Sequence, residues 1–471
     1  MSTKRLVTLA MAIALAVVGG IRATATAATL HVPGDFATIQ ACIDAAVSGV
    51  DECVVAPGTY HETINFLGKA ITLRSSGGAD VTTMDATGLN SSVVTCASGE
   101  GPGSILDGLT ITGGTGTLIG TRRYGGGMYN FYSSPRVTHC TFRGNTAYGG
   151  GGILNDHSTP TIRDCTFSLN GADYGGGMLN SNSNPTVTDC PFLGNTAGEG
   201  GGVYNSFSTP DVTNCMFHGN RANIGGGMEN YVSSPMLSNS TFIGNTVSGG
   251  GGGIANVGSA PTVTRCTFTG NTAGTGGGMG NRGSNVPVTH CIFWRDSPDE
   301  IGDEASHPTV RFSDVQGGLP VGAVDGGGNI DLDPMFVRPP NPGPDGTWDG
   351  VDDDYGDLRL QAGSPCIDTG DPALVAQPGE TELEGHARVL CGRVDMGAYE
   401  FGIGDHDCDQ VVDLADFSSW QACMTGPLDS AAFHSTIDIR QSTIGCESFD
   451  FDGDGSVSLL DFGGFQRVFA P

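Results

Sequence analysis

Basic residues are scarce in this chain of 471 residues: 21 Lys and Arg stand against 50 Asp and Glu, a formal net charge of −29. This excludes nucleic acid as a partner, because phosphate binding needs clustered cations. Charge of either sign is sparse at 15% of residues while 38% are hydrophobic, which is not the balance of a disordered acidic chain. Beyond the N-terminus no segment approaches the roughly 20 apolar residues of a membrane-spanning helix. Glycine, by contrast, fills 77 positions. The acidity is also local: residues 124–296 hold 8 acidic and 7 basic side chains, whereas residues 297–471 hold 33 and 7.

Lys4 and Arg5 precede an apolar run from Leu6 to Val18 and then the small residues Ala23-Thr24-Ala25-Thr26-Ala27-Ala28. That is the layout of a Sec signal peptide, so the expectation is an exported protein, secreted or at the cell surface, with residues 1–27 removed and no transmembrane segment remaining. The 14 cysteines would then meet an oxidising compartment.

Segments starting at Tyr124, Gly149, Tyr174, Glu199, Ile224, Gly250 and Thr275 repeat one theme: three glycines, an apolar residue, Asn, then Ser-x-Pro-x-Val-x-x-Cys-x-Phe-x-Gly-Asn. The period is 25, with a single 26. A period of this size signals a stacked array. Three glycines, a proline and several β-branched residues per unit exclude helical units, leaving short strands and tight turns. The predicted fold class is all-β, a right-handed parallel β-helix, with a small α-helical calcium-binding domain at the C-terminus. Val137, Cys140 and Phe142 and their equivalents should point inward. Asn130, Asn155, Asn180, Asn205, Asn230, Asn256 and Asn281 form one column, and Asn145, Asn170, Asn195, Asn220, Asn245 and Asn271 another. Amides carry both donors and an acceptor, so these columns read as structural ladders. Cys140, Cys165, Cys190, Cys215, Cys266 and Cys291 share a slot that Ser240 fills once. Parallel Cβ vectors favour stacked thiols there; pairing as 140–165, 190–215 and 266–291 is the alternative.

The glycine-rich segment Gly151-Gly152-Ile153 and the Phe-x-x-Asn segments from Phe142–Asn145 to Phe268–Asn271 resemble the repeats of chlamydial polymorphic outer membrane proteins, which implies a surface β-helix. Near the N-terminus, Thr38–Ala46, Ala56-Pro57-Gly58-Thr59-Tyr60 and Gly68–Leu73 resemble the opening of pectin-lyase-like β-helix proteins. Residues 28–123 should form a cap and first rungs, with Asp35 capping a short helix that carries Phe36, Ile39, Ile43 and Val47 on one face. Residues 124–296 are the repeats, and 297–401 an Asp, Pro and Gly-rich end of the β-helix. Within it Asp331–Phe336, Leu358–Leu360, Ser364–Asp368 and Asp395–Phe401 resemble segments that close such helices. The carboxylates of Asp345, Asp349, Asp352, Asp353, Asp354 and Asp357 crowd one loop, which suits either calcium or a solvated turn.

The strongest chemical pattern lies in residues 402–471. Asp405, Asp407, Asp409, Val411, Asp413 and Asp416 fall at positions 1, 3, 5, 7, 9 and 12 of a loop, and Asp450, Asp452, Asp454, Ser456, Ser458 and Asp461 repeat the spacing 45 residues on. A hard cation takes about seven oxygens, which EF-hand-type loops supply at this spacing, so Ca2+ is the expected cofactor. The duplicated loop resembles a dockerin, which implies a cohesin-like protein partner. Gln410 stands at the sharp turn where Gly is usual, so the first loop should bind less well than the second, which has Gly455. Cys423 and Cys446 flank an insert that they are placed to staple.

No catalytic motif of pectate lyases or polygalacturonases stands out, and the catalytic residues are unassigned. Asp156, Asp164, Asp173, Asp189, Asp211 and Glu229 read as different slots, so stacking should not gather them. Asp156 with His157, and Arg163 one rung above Thr138, are the nearest polar groupings. The expected function is a non-catalytic β-helix that binds a glycan or cell-surface polymer and carries a calcium-binding docking module. The alternative is a polysaccharide lyase or glycoside hydrolase of the pectin-lyase-like fold.

Overall fold

The computed structural model describes residues 27–348, 352–374, 380–405, 407–412 and 416, with the backbone of 437–438 and 456–457. Each repeat contributes strands to parallel sheets wound as a solenoid. The second repeat runs Ile153–Asp156, Thr161–Arg163, Thr166–Ser168 and Gly171–Tyr174. These enter sheets of 10, 13, 11 and 7 strands respectively. Register is strict, as Asn130 faces Asn155, Val137 faces Ile162 and Phe142 faces Phe167. The chain coils in the right-handed sense that parallel crossovers take.

The glycine triplets are steric necessities. A Cβ on Gly151 would lie 2.4 Å from the Gly176 carbonyl oxygen, and one on Gly152 2.4 Å from that of Gly177. Here backbone stacks on backbone, with Gly151 N donating to Gly175 O at 3.0 Å. Gly150 adds a left-handed φ of 66°.

Inside, Phe142, Phe167, Phe192, Phe217, Phe242, Phe268 and Phe293 form one column with centroids 4.4 to 5.2 Å apart and planes within 8°. The asparagine columns are the expected ladders. Asn155 Nδ2 donates to Asn180 Oδ1 at 2.9 Å. Asn195 Nδ2 donates to both Asn220 Oδ1 and Phe167 O. Both ladders end on aspartate: Asn271 donates from N and Nδ2 to Asp296 Oδ1, and Asn281 Nδ2 to Asp303 Oδ1. A carboxylate accepts from the rung below and offers no donor to a rung beyond, so it terminates an amide ladder.

The cysteine column consists of buried free thiols. Cys140 N donates to Cys165 Sγ at 3.4 Å, and Cys215 N donates to Ser240 Oγ at 3.1 Å. The sulfur thus satisfies a turn N–H, which explains why serine substitutes for it.

At the N-terminal end a helix spans Ile39–Ala45, burying Ile39, Cys42 and Ile43. Its cap is Thr38, whose Oγ1 accepts from Ala41 N, and not the expected Asp35, which accepts from His31 N before the helix starts. The carboxylate of Glu62 takes the next orphan donors, Ile39 N and Gln40 N. Val47 lies past the helix and is exposed, outside the apolar stripe. A disulfide joins Cys42 to Cys53.

The closing segments pack along the side of the last rungs. Phe336, Trp348, Leu358, Leu360, Cys366, Ile367 and Met396 form a second apolar cluster with Ile243 and Ile292. Gly397 N donates to His290 O, and Ala398 N to Thr267 Oγ1. Inside this flap Arg388 is fully buried, 3.2 Å from Glu400, and donates to the carbonyls of Asp395 and Gly397. No helix among the described residues is long and apolar enough to cross a membrane.

Candidate functional site

The flap leads directly into the first calcium-type loop. Asp405, Asp407 and Asp416, at positions 1, 3 and 12, bring ligand oxygens within 4.8 Å of one another. Among the described residues this is the sole grouping of three or more potential metal-ligating side chains. The Asp405 carboxylate accepts from Asp409 N at 3.2 Å and Gln410 N at 2.8 Å, while Asp409 Oδ1 accepts from Val411 N. These bonds curl the loop around position 1. Burial, with the Asp416 charge adding to it, raises the Asp405 carboxyl above its ordinary range. A divalent cation would relieve that repulsion, so the donor set fits a hard, oxygen-seeking ion.

Gln410 takes the turn that glycine usually makes, with φ of 69°. Its side chain has its own task, accepting from Gly363 N at 2.8 Å. Cys408, at position 4, is joined to Cys391 of the flap. The first loop is therefore fastened to the flap by a disulfide and a side-chain hydrogen bond. Sequence reasoning did not anticipate this pairing, since Cys391 lies outside the repeat and outside the loop. Asp413, Asp450, Asp452, Asp454, Ser458 and Asp461 lie outside the described residues, as do Cys423 and Cys446. Ser456 is described in backbone only, where Ser456–Val457 pairs antiparallel with Ile437–Asp438.

The acidic loop before the flap distributes its carboxylates otherwise. Asp345 Oδ1 accepts from Thr347 N, Asp354 pairs with Arg338 at 2.7 Å and Asp357 pairs with Arg359. Asp349 lies outside the described residues. Trp348, Pro340 and Pro342 of this segment wall a cavity of about 750 Å³ against Arg221, Thr246, Thr269 and Arg295 of the rungs.

On the solenoid, stacking does gather two carboxylates expected in different slots. Asp164 and Asp189 occupy one slot with His139, Asn214, Asn239, Arg265 and His290, each at φ of 49 to 55°. Exactly one period separates Asp164 from Asp189, and the single-letter pattern conceals it because the slot's identity varies from rung to rung. Asp107 Oδ1 accepts from Thr138 Oγ1 at 2.9 Å and lies 2.7 Å from His139 Nδ1. His139 Nε2 lies 3.7 Å from Asp164, and Arg163 bridges Asp164 and Asp189 at 3.2 and 3.4 Å. This is a partly exposed polar column in which three carboxylates share one guanidinium and one imidazole. Asp156 with His157, 2.7 Å apart, forms a separate pair on the neighbouring turn.

Buried carboxyls sit elsewhere. Glu229 is pushed up to about 8 by burial, with Glu199 adding to it. At the ladder's end, burial raises both Asp296 and Glu300; the Asp296 charge raises Glu300 further, whereas the contact with Glu300 lowers Asp296. His218, hydrogen-bonded to Thr241 at 2.8 Å, is pulled down to about 3 by burial and stays neutral.

The family model for the right handed beta helix region matches residues 70–247. No match was found among curated proteins. Among solved structures the chain is similar to pectate lyase Pel9A, at 14% identity and a TM-score of 0.46, over 80% of this chain and 96% of that one. It is also similar to a pectin methylesterase from carrot, at 11% identity and a TM-score of 0.36, over 64% and 88%. A PL6 family alginate lyase matches at 14% identity and a TM-score of 0.34, over 68% and 55%. The parallel sheets with their strict register, together with the family model, establish the architecture: this chain is a right-handed parallel β-helix.

Proposed function

We propose that this chain is an exported, non-catalytic β-helix that binds a glycan or cell-surface polymer along its solenoid and carries a calcium-binding docking module at its C-terminus. The observation that carries the reading is the Asp405, Asp407 and Asp416 cluster, curled around one point and fastened to the flap through Cys391–Cys408. Calcium would be held by these carboxylates with Asp409, the Val411 carbonyl and Asp413, and by the second loop from Asp450 to Asp461. The disulfides Cys42–Cys53 and Cys391–Cys408 suit an oxidising compartment, in keeping with the signal-type N-terminus. The module's partner would be a cohesin-like protein.

Calcium titration of the full chain by calorimetry tests the reading. Saturable binding that Asp405→Asn together with Asp450→Asn abolishes is expected, and absence of binding to the wild type overturns it. A catalytic second reading has one favouring feature, His139 held between Asp107 and Asp164 beside Arg163. New reducing ends or unsaturated products from acidic polysaccharides, lost in His139→Ala, would establish it instead.

A further inference from the structure

At the turn that follows the Met128–Phe131 strand, one residue per rung adopts a left-handed backbone. Tyr132, His157, Asn182, Phe207, Val232, Gly258 and Gly283 take φ between 47 and 57°. Glycine does this freely and asparagine at little cost, and the last two rungs use glycine. Val232 is β-branched, and Tyr132 and Phe207 are bulky. Each pays a steric cost that Gly or Asn would avoid.

Burial does not offset that cost. Tyr132 and Phe207 are each 59% exposed and Val232 45%, and the adjacent Phe131 and Tyr231 are exposed as well. Strained backbone that presents large apolar groups to solvent marks a site shaped for something other than folding.

The rings are arranged in two groups. Tyr132 stacks on His157 with centroids 4.6 Å apart, and Phe131 meets Tyr132 edge-on at 4.6 Å. Phe207 meets Tyr231 edge-on at 6.1 Å. The rung of Asn182 separates the groups, placing Tyr132 and Phe207 three rungs apart, about 14 Å along the axis. Beside the rings runs a line of small polar side chains: Ser134 Oγ lies 3.1 Å from Thr159 Oγ1, and Asn184 Oδ1 accepts from Thr209 N and Oγ1. The strip carries a single carboxylate, Asp156, whose Oδ1 lies 2.7 Å from His157 Nδ1. It is thus sparsely charged in a chain whose net charge is −29.

We infer that this strip binds an uncharged polysaccharide laid along the solenoid axis. The apolar faces of its sugar rings would stack on Tyr132 and Phe207, and their hydroxyl edges would meet the Ser134–Thr159 and Asn184–Thr209 line. Charge complementarity selects this occupant: the strip offers a polyanion no fixed cation and a polycation no unpaired carboxylate. The inference rests on the glycan-binding reading above and gives it a place and a chemical class.

The test is affinity electrophoresis of the full chain through gels containing xylan, mixed-linkage glucan, mannan, pectate or alginate. The variant is Tyr132→Asn with Phe207→Asn, because native Asn182 occupies the same slot at φ of 48° and the fold accepts it. Retardation by a neutral polymer is expected, with at least about tenfold weaker retardation in the variant, as befits loss of dominant aromatic contacts. The variant's melting temperature should equal or exceed that of the wild type. Undiminished retardation of the variant overturns the strip and leaves glycan binding standing, as does retardation by pectate or alginate alone. No retardation of the wild type in any of the five gels overturns both.

Discussion

Replacing Asn195 with alanine tests whether the amide ladders hold the solenoid together. Asn195 is fully buried. Its Nδ2 donates to Phe167 O at 2.9 Å and Asn220 Oδ1 at 3.0 Å, and its Oδ1 accepts from Asn170 N and Asn170 Nδ2, both at 3.0 Å. Two of the four partners are compensated: Asn220 Oδ1 still receives the Asn195 N–H, and Asn170 Nδ2 still reaches Phe142 O. A third, Phe167 O, keeps its place in the parallel ladder with the next rung, so Asn170 N carries the loss. At about 1–3 kcal/mol for a buried group left unpaired, Asn195→Ala should cost about 1–3 kcal/mol. Chemical unfolding followed by circular dichroism measures the loss, and hydrogen exchange at Asn170 N should accelerate. The ladder's end supplies the contrast. Asp296 Oδ2 is buried without a hydrogen-bond partner beside the Glu300 carboxyl. An amide in its place can donate to Glu300, so Asp296→Asn should leave stability unchanged or raise it. A cost below about 1 kcal/mol for Asn195→Ala, or an equal cost for the two variants, refutes the reasoning.

Other consequences follow from single side chains. Glu229 keeps its proton in the fold up to about pH 8, whereas an unfolded glutamate releases it near 4.5; its contribution to stability is full below that lower value and lost as pH rises through 8. Glu229→Gln should therefore flatten the fall in melting temperature between pH 5 and 8, and parallel curves for the two proteins would contradict this. Alkylation of the denatured chain without reductant should modify Cys140, Cys165, Cys190, Cys215, Cys266 and Cys291 and spare Cys42 and Cys53; a column left unmodified would mean paired sulfurs. Gln410→Gly removes a left-handed glutamine worth about 1 kcal/mol, so calcium affinity at the first loop should rise about fivefold by calorimetry. An unchanged or weaker affinity would show that the tie to Gly363 matters more than the strain.

The solenoid was legible in the sequence because stacking forces identical neighbours into identical slots. Seven-fold recurrence of Gly, Asn and Phe and six-fold recurrence of Cys at one spacing leave few alternatives to register-locked rungs, and both asparagine columns emerged as ladders. What decayed with the repeat was hidden. Asp296 and Asp303 terminate the ladders from positions where the motif has already lost its wording, and the flap's contacts with Thr267 and His290 join residues more than a hundred and at least eighty positions apart. The helix cap moved from Asp35 to Thr38 because Asp35 was consumed locally by His31 N. Of the first acidic loop, spacing alone grouped Asp405, Asp407 and Asp416, and the structure brings their carboxylates within 4.8 Å of one another. Its attachment through Cys391 depended on tertiary proximity that no spacing rule encodes. The shared slot of Asp164 and Asp189 was concealed by variation within the column, and the strained aromatic strip by the same cause, since strain is visible only in φ.

On the proposed function this β-helix holds glycan without cutting it. The intact chain can be incubated, with and without calcium, with the polysaccharide that retards it most in affinity electrophoresis, and the mixture assayed for reducing ends and unsaturated products. Retention with no new ends is expected in either condition; accumulation of either product with time would contradict the non-catalytic role.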